Sequence, residues 1–571
     1  MKLKQVHFAI VISICAFILI GVFGILAPAF HYLPAIEAHV LSLSPWYALF
    51  DTPEFLSSIR LTLISGLAAT IISFMVAFSV VAAFYQSWIL RLFQKSLAPI
   101  LAVPHAAIAI GLLFLLSPSG WLIRLFTTFD RPPNWITVQD PYTLSLILAL
   151  VIKETPYLIF VMLACLHQVK ADESLNIGRS MGYHSSTVWQ KILLPAMYPL
   201  IRLPIFIVLA FSLTVVDLAL IIGPNTPSTF AVTVFRWFKD ADLNERFVAS
   251  SGAVLLMLLV FVVFLLWECT YRLIVRFTKQ TRIQGIRQSF ISRLYPWIGS
   301  LYFVLLLFVS LAGVILFIWS FAKRWRFPDV LPSTWSLANL ERNGSLLFEL
   351  SWNTLSVGIV SALLALVISI ILLEVKRAQS IKTTFFDRLI YVPILLPQVG
   401  FLFGIQIFFI RIDFSGHLPA VITLHLFYVL PYVYLTLHSA YLAYNQNYFI
   451  QACALTQKPV KSFFQIKLAM LKAPIFSAFA IGFSVSIAQY LPTLIAGNGL
   501  ISTLTTEAVT LASSGERKIV SLLALMQSIF PLIVFMLAIW LPKVWTPARI
   551  KCKQWFARLS LTFSFHSIEK R

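Results

Sequence analysis

The sequence predicts an all-α polytopic membrane protein. It has about twelve transmembrane helices in two parallel six-helix repeats, with both termini cytoplasmic. Three observations carry this. Hydrophobic residues make up 59% of the 571 and charged residues only 11%, with a mean hydropathy of +0.89. The apolar residues gather in twelve long stretches, and the basic residues gather in alternate connecting segments. A soluble chain is about half apolar and about a quarter charged. This chain has too little polar surface to cover a water-exposed body, and the same arithmetic excludes disorder.

A spanning helix needs about 20 mostly apolar residues. Such stretches run at 8–30, 61–85, 97–116, 144–167, 203–222, 247–267, 295–321, 353–373, 389–410, 418–442, 474–496 and 519–541. The first follows Lys2 and Lys4, as the core of a signal peptide would. Its charge-free run exceeds the 7–15 or so apolar residues of such a core, so it reads as a retained helix.

The charges orient the spans. With both termini cytoplasmic, the cytoplasmic segments hold 29 of the 43 Lys and Arg and the outer loops 13, leaving Lys153 inside a span. Of the 22 acidic residues, 6 are cytoplasmic, 14 are outside, and Glu154 and Asp217 lie in spans. The net charge of +21 is therefore the positive-inside bias of a membrane protein and not a nucleic-acid patch. Trp319, Trp325, Trp540 and Trp545 fall near span ends, where interfacial anchors belong. Cys15, Cys165, Cys269, Cys453 and Cys552 are scattered, without ligand spacing, and read as reduced packing residues; neither a disulfide framework nor a metal site is expected.

A basic stretch halfway along, with Arg272, Arg276, Lys279, Arg282, Arg287 and Arg293, reads as a linker between two halves. The halves repeat one another weakly. Pro104 precedes Gly111 by seven, as Pro397 precedes Gly404. Pro156-Tyr157 recurs as Pro431-Tyr432, and Phe211-Ser212 as Phe483-Ser484. Leu220-Ile221, Gly223 and Ser228-Thr229 recur 274 residues later as Leu494-Ile495, Gly497 and Ser502-Thr503. An even number of helices in each half makes the repeat parallel, about an axis near the membrane normal.

Each half also has a long cytoplasmic loop between its fourth and fifth helices, at 176–199 and 450–474. Both loops mix small, apolar and basic residues at helical spacing. That mixture predicts a short amphipathic helix along the membrane face, resting on lipid or offered to a soluble partner.

These loops resemble the EAA loop of bacterial ABC importer permeases: Glu-Ala-Ala, three residues, Gly, nine residues, a β-branched residue, any residue, Leu-Pro. Gly182, Ile192, Leu194 and Pro195 match in the first half, and Ile466 and Leu468 in the second. The triplet falls on Asn176-Ile177-Gly178 and Ile450-Gln451-Ala452; the motif glycine becomes Thr456 and the proline Ala469. The chain is most similar to the fused two-repeat permeases of the ferric-iron and thiamine importers, some of which have no assigned substrate.

The resemblance implies an inner-membrane transport subunit and not an enzyme. A separate ABC ATPase, in two copies, would bind and hydrolyse ATP; no cofactor would sit in this chain. An extracytoplasmic binding protein would deliver a small-molecule substrate. Each loop would be a coupling helix seated in a groove of an ATPase. The chain has no GxxxxGK[ST] of its own. The implied layout is a first helix and outer loop (1–60), a first permease core (61–271), a basic cytoplasmic linker (272–294), a seventh helix and outer loop (295–352), a second core (353–541) and a basic cytoplasmic tail (542–571).

Polar residues inside the membrane are functional candidates by default. Lys153 and Glu154 are neighbours in the fourth helix, pointing about 100° apart, so each has another partner or the two sit near the outer end and reach water. Asp217 lies six residues before Gly223, and its repeat counterpart is Gln489, beside Tyr490. His105 follows Pro104 as Gln398 follows Pro397. The resemblance places such residues along a pathway; the local alternative is capping of carbonyls freed at proline breaks, or interhelical hydrogen bonds of about 1 kcal/mol. A self-sufficient secondary transporter with Lys153, Glu154 and Asp217 in ion coupling fits the twelve helices equally, but has no need of the repeated loop. A membrane enzyme needs a residue cluster, whereas His31, His39, His184, His425 and His438 are dispersed.

Overall fold

The computed structural model describes residues 2–126, 129–285, 287, 290–378 and 389–544. The basic tail from 545, with Cys552 and Trp545, and the cations at 382 and 388 lie outside the described residues. Among the described residues, ten helices are long and apolar enough to cross a membrane: Gln5–Ala29, Phe55–Phe84, His105–Phe126, Leu144–Cys165, Ser185–Thr214, Glu245–Phe277, Tyr295–Phe321, Gly344–Arg377, Leu418–Ala443 and Arg517–Val544. An eleventh candidate is the bent pair Pro459–Met470 and Lys472–Ile487, and the shorter apolar helix Gln398–Arg411 lies where the ninth stretch was expected. Strand pairing among the described residues is slight: Ala322–Arg324 pairs antiparallel with Thr334–Trp335, and Leu33 bridges Ala38.

In Phe55–Phe84 the buried face carries Ser58, Thr62, Ser65, Gly66, Ala69, Thr70 and Ser73, while Leu56, Ile64, Ile71 and Met75 are exposed. Small residues let helices approach closely, and large apolar ones face lipid. Three of the buried hydroxyls bond back to their own helix: Thr62 donates to Ser58 O at 2.9 Å, Ser65 to Thr62 O at 3.2 Å and Thr70 to Gly66 O at 2.8 Å.

Elements recur in the same order along the two halves. The π-helical turn Trp189–Leu193 is followed 274 residues later by Phe463–Lys467, Asp217–Ile222 by Leu491–Gly497, and Phe230–Phe238 by Leu504–Leu511. Hydrogen bonds recur too. Thr62 Oγ1 accepts from Phe230 N–H at 2.8 Å, and Thr354 Oγ1 from Leu504 N–H at 2.9 Å. The halves interlock: Lys2–Ala29 packs on Gln398–Arg411, and Tyr295–Phe321 on His105–Leu116. At the first crossing, a Cβ on Gly404 would lie 2.0 Å from Gly21 O; at the second, a Cβ on Gly111 would lie 2.8 Å from Ala312 Cβ.

Several expected boundaries move. The third stretch, 97–116, is broken at Val103-Pro104 into Trp88–Ala102 and His105–Leu116. Proline lacks the N–H that would continue the ladder and pushes its predecessor out of the helical region. The ninth stretch breaks alike at Leu396-Pro397. The fifth and eleventh, 203–222 and 474–496, end early at Thr214 and Ile487; short helices from Asp217 and Leu491 follow non-helical breaks. The linker region gives up its start to Glu245–Phe277. Trp319 and Trp325 are not interfacial anchors. Each is 8% exposed, their rings are 4.6 Å apart, and the guanidiniums of Arg517 and Arg124 cover them. Trp540 is exposed as expected.

Candidate functional site

Two regions gather the candidate residues. The first is the pair of loops on the face rich in Lys and Arg. Each loop is two helices joined by a tight turn. In the first half, Ala171–Ser180 closes with Gly182 N–H donating to Arg179 O at 2.9 Å and Tyr183 N–H to Gly178 O at 2.9 Å. This is a Schellman motif, and it holds Gly182 at φ +81, where a side chain is strained. Beyond the turn, one continuous rod runs from Ser185 to Thr214. Pro195 therefore does not end a helix; it follows the π-helical turn and sits within the rod.

The second loop follows the same path with different chemistry. Asn447–Thr456 closes with a single bond, Gln457 N–H to Cys453 O at 2.8 Å, and the left-handed residue is Gln457 at φ +51. Thr456 is not the left-handed residue that its alignment with Gly182 suggests. Its hydroxyl donates to Ala452 O and is 2.7 Å from Ser462 Oγ, bracing the turn. The chain then bends by 75° between Pro459–Met470 and Lys472–Ile487.

Both loops expose apolar side chains. Ile192 is 50% and Ile466 37% exposed; Ile177 and Met181 join the first, and Ile450, Leu455, Val460 and Phe464 the second. Leu194, Pro195 and Leu468 are half-buried. Contiguous exposed apolar side chains mark interaction surfaces.

What fastens each loop to the membrane body also differs. In the first half, Trp189 is buried edge-on against Phe78 and Tyr85, and Asp172 accepts from Tyr85 Oη at 2.9 Å and Gln86 Nε2 at 2.6 Å. In the second half Lys467 is fully buried. Its ammonium pairs with Glu374 and lies over the rings of Tyr441, Phe449 and Tyr444 at 5.2, 5.4 and 5.7 Å. Lys467 and Glu374 were not among the sequence candidates. The repeat register carried the signal: 274 residues earlier stands Leu193, which is apolar.

The second region lies within the membrane. Lys153 and Glu154 do find separate partners. Lys153 Nζ donates to Ile100 O at 3.1 Å, Leu101 O at 3.3 Å and Val103 O. It thereby caps the carbonyls left open where Trp88–Ala102 stops, in the orientation the helix dipole favours. Glu154 Oε1 lies 3.7 Å from His105 Nε2, and the His105 ring packs on Phe211 at 4.7 Å. Tyr157 and Tyr432, from the two Pro-Tyr pairs, are both electrostatic neighbours of Glu154, so this carboxylate sits where the halves meet. Gln398 opens its helix, half-buried, in the place His105 takes in the first half.

Asp217 opens the short helix after the first break, half-buried, as an electrostatic neighbour of Tyr490. Gln489 and Tyr490 sit in the second break itself, so Gln489 is not the structural twin of Asp217; Leu491 is. The second break is held by a residue the sequence reading set aside. His425 Nδ1 is 2.7 Å from Ser486 Oγ and its Nε2 2.8 Å from Thr493 Oγ1, while Thr493 donates to Gln489 O at 2.9 Å. A histidine six residues before Pro431 in an apolar helix was the available signal.

No family model matches the sequence. A curated relative, the inner membrane ABC transporter permease protein YnjC of Escherichia coli (strain K12), is 30% identical over 518 residues, covering 89% of this chain and 93% of the relative.

Proposed function

This chain belongs to the inner-membrane ABC transporter permeases, and we propose that it is the membrane-spanning subunit of an ATP-driven importer. It translocates a small solute delivered by an extracytoplasmic binding protein. Two copies of a separate ATPase bind and hydrolyse ATP and drive it, and no cofactor resides in this chain. The spans form two fused repeats with cores at 61–271 and 353–541, and both termini are cytoplasmic. In overall plan it resembles the ferric-iron and thiamine-type permeases.

One observation carries this reading: two helix–turn–helix loops on the basic face, at matching places in the two halves, each exposing apolar side chains. A self-sufficient carrier has no use for such a pair. Gly182, Ile192, Leu194 and Pro195 shape and present the first coupling loop, and Thr456, Ile466 and Leu468 the second. Glu154, His105, Asp217, Gln398, Gln489 and Tyr490 belong to the pathway, with Lys153 holding the break at Pro104 that positions His105.

Gentle solubilisation of native membranes carrying a tagged chain should recover an ABC ATPase at two copies per permease. Recovery of the chain alone, together with solute accumulation by the chain alone in liposomes under a proton or sodium gradient, would overturn the importer reading.

A further inference from the structure

We propose that Lys467 and Glu374 are positioning residues that lock the second coupling loop to helix Gly344–Ala378, so that in the second half the ATPase stroke leaves through that helix. The proposal rests on the importer reading above. Its ground is a mechanical difference between the halves. In the first, the loop and the following span are one rod, Ser185–Thr214, so a push on the loop is a push on the span. In the second, the same path is bent by 75° at Leu471, and a bend absorbs a push. The helix Asn447–Thr456 has no buried residue of its own to carry load, whereas Ala171–Ser180 buries Ala171, Leu175 and Gly178.

The Lys467 site replaces that missing stiffness. Lys467 stands on the π-helical turn just before the bend. Its ammonium meets Glu374 of Gly344–Ala378, the rings of Tyr441 and Tyr444 at the end of the tenth span, and Phe449 of the loop helix. Arg377, one turn beyond Glu374, donates to Tyr441 O and Tyr444 O, tying the same helix to the same corner. One buried cation thus joins loop and helix where no covalent rod does. Cation–π contacts gain strength when desolvated, and a buried pair resists separation because parting leaves a charge unpaired.

The first half supplies the control. By the register of Thr62 with Thr354, Glu374 corresponds to Ala82, and Lys467 corresponds to Leu193; both first-half residues are buried and apolar. Installing them, as Glu374→Ala with Lys467→Leu, removes the lock without leaving a buried charge unpaired.

The test uses the permease–ATPase complex in nanodiscs, with native cysteines replaced and spin labels at Gln451→Cys on the loop helix and Val367→Cys on Gly344–Ala378, both exposed. In the otherwise unaltered complex the label-to-label distance should stay constant between the nucleotide-free and vanadate-trapped states. In the double variant it should change on trapping, with ATPase still bound. A distance that changes in the unaltered complex, or stays fixed in the double variant, overturns the lock. Glu374→Gln, which keeps the shape of the side chain, should loosen the pair in the same direction if the double variant is poorly made. Failure of any ATPase to bind the unaltered chain would instead overturn the importer reading.

Discussion

Two paths from the basic face into the membrane invite comparison. From Ser185 to Thr214 the chain is one rod; from Pro459 to Ile487 it is two helices at 75°. The rod contains Pro195, Pro199 and Pro204, while the bend falls after Ala469, where the motif proline is missing, and three residues before Pro474, which has no N–H to offer Met470 O. Three prolines leave the first path continuous. A proline just after a π-helical turn needs no N–H partner that the turn has not already forfeited. The two paths therefore share a route and differ in stiffness and in what stiffens them. Buried charge follows the same rule. The first half has Lys153 and Glu154 inside the span, and the second has Lys467 and Glu374 at the membrane face.

The interlock of the halves gives the sharpest way to break the comparison. Both crossings need a small residue, and neither obstacle can rotate aside. At Gly404 it is Gly21 O at 2.0 Å; at Gly111 it is Ala312, its Cβ at 2.8 Å and its carbonyl oxygen at 2.9 Å. The crossing at Gly404 is the closer of the two. Gly404→Val should abolish the folded protein in membranes, beyond the roughly 1–3 kcal/mol of ordinary overpacking, while Gly111→Ala should stay within that range. Membrane level and thermal stability in detergent measure both. Equal tolerance would mean that the two crossings are mechanically alike.

Next in size is the polar clamp of the second break. His425→Leu leaves Ser486 and Thr493 without their ring partner, at about 1–3 kcal/mol. In the first half the corresponding places hold Leu150 and Ala219, both buried, so that break is shaped without a histidine. Leu150→Ala should therefore act as a cavity, and His425→Gln should recover part of what His425→Leu loses. Thermal unfolding of the four proteins separates the cases; no rescue by Gln would count against the hydrogen-bonded clamp.

The turns of the loops come third. Gly182→Ala places a Cβ at φ +81 and should destabilise the turn by about 1–2 kcal/mol. Gln457→Gly relieves the same strain at φ +51 but adds freedom to the unfolded chain, for a net gain under about 1 kcal/mol. Amide hydrogen exchange across each turn reads both signs. An aspartate sharpens the contrast further. Gly182→Asp combines the strain with a charge on the loop face proposed to meet the ATPase. Thr456→Asp loses the donor to Ala452 O but keeps an oxygen that can accept from Ser462 Oγ and adds no left-handed strain, so it should reduce ATPase co-purification less.

These outcomes also mark what the sequence could convey. Composition and charge bias reached the fold class, because bilayer burial leaves a signal in every residue. The loops were legible because a repeat at fixed spacing exposes its own register. The breaks at Thr214 and Ile487 were not, since an apolar stretch reads alike whether it continues or folds back. Lys467 was hidden for another reason. A basic residue on a basic face reads as a solvated charge, and only the three surrounding rings, drawn from the tenth span and the loop, reveal a buried one. Glu154 was legible as a charge in a span, but its electrostatic coupling to Tyr432 of the other half depends on both halves meeting.

The smallest effect expected is at the exposed tie of the first loop. Tyr85 and Gln86 both donate to one oxygen of Asp172, in contact with water, so the pair of bonds should contribute no more than about 1 kcal/mol. Asp172→Asn retains an acceptor oxygen and removes only the charge. The titration of Tyr85 makes this visible. Burial first, then the hydrogen bond to Asp172 and its charge, push the Tyr85 phenol up to about 12 from its ordinary 10.0. A phenol held protonated in the folded state lends stability that is intact below the unfolded value and is lost as pH rises through the folded one. Between about pH 10 and about 12 the unaltered protein should therefore lose stability more steeply than Asp172→Asn, with the two alike near neutral pH. Thermal unfolding across that window reads the difference. Parallel curves would show that Asp172 holds the loop by its shape alone. The first loop would then owe its attachment to the rod and to Trp189, and the contrast with the ion-paired second loop would widen.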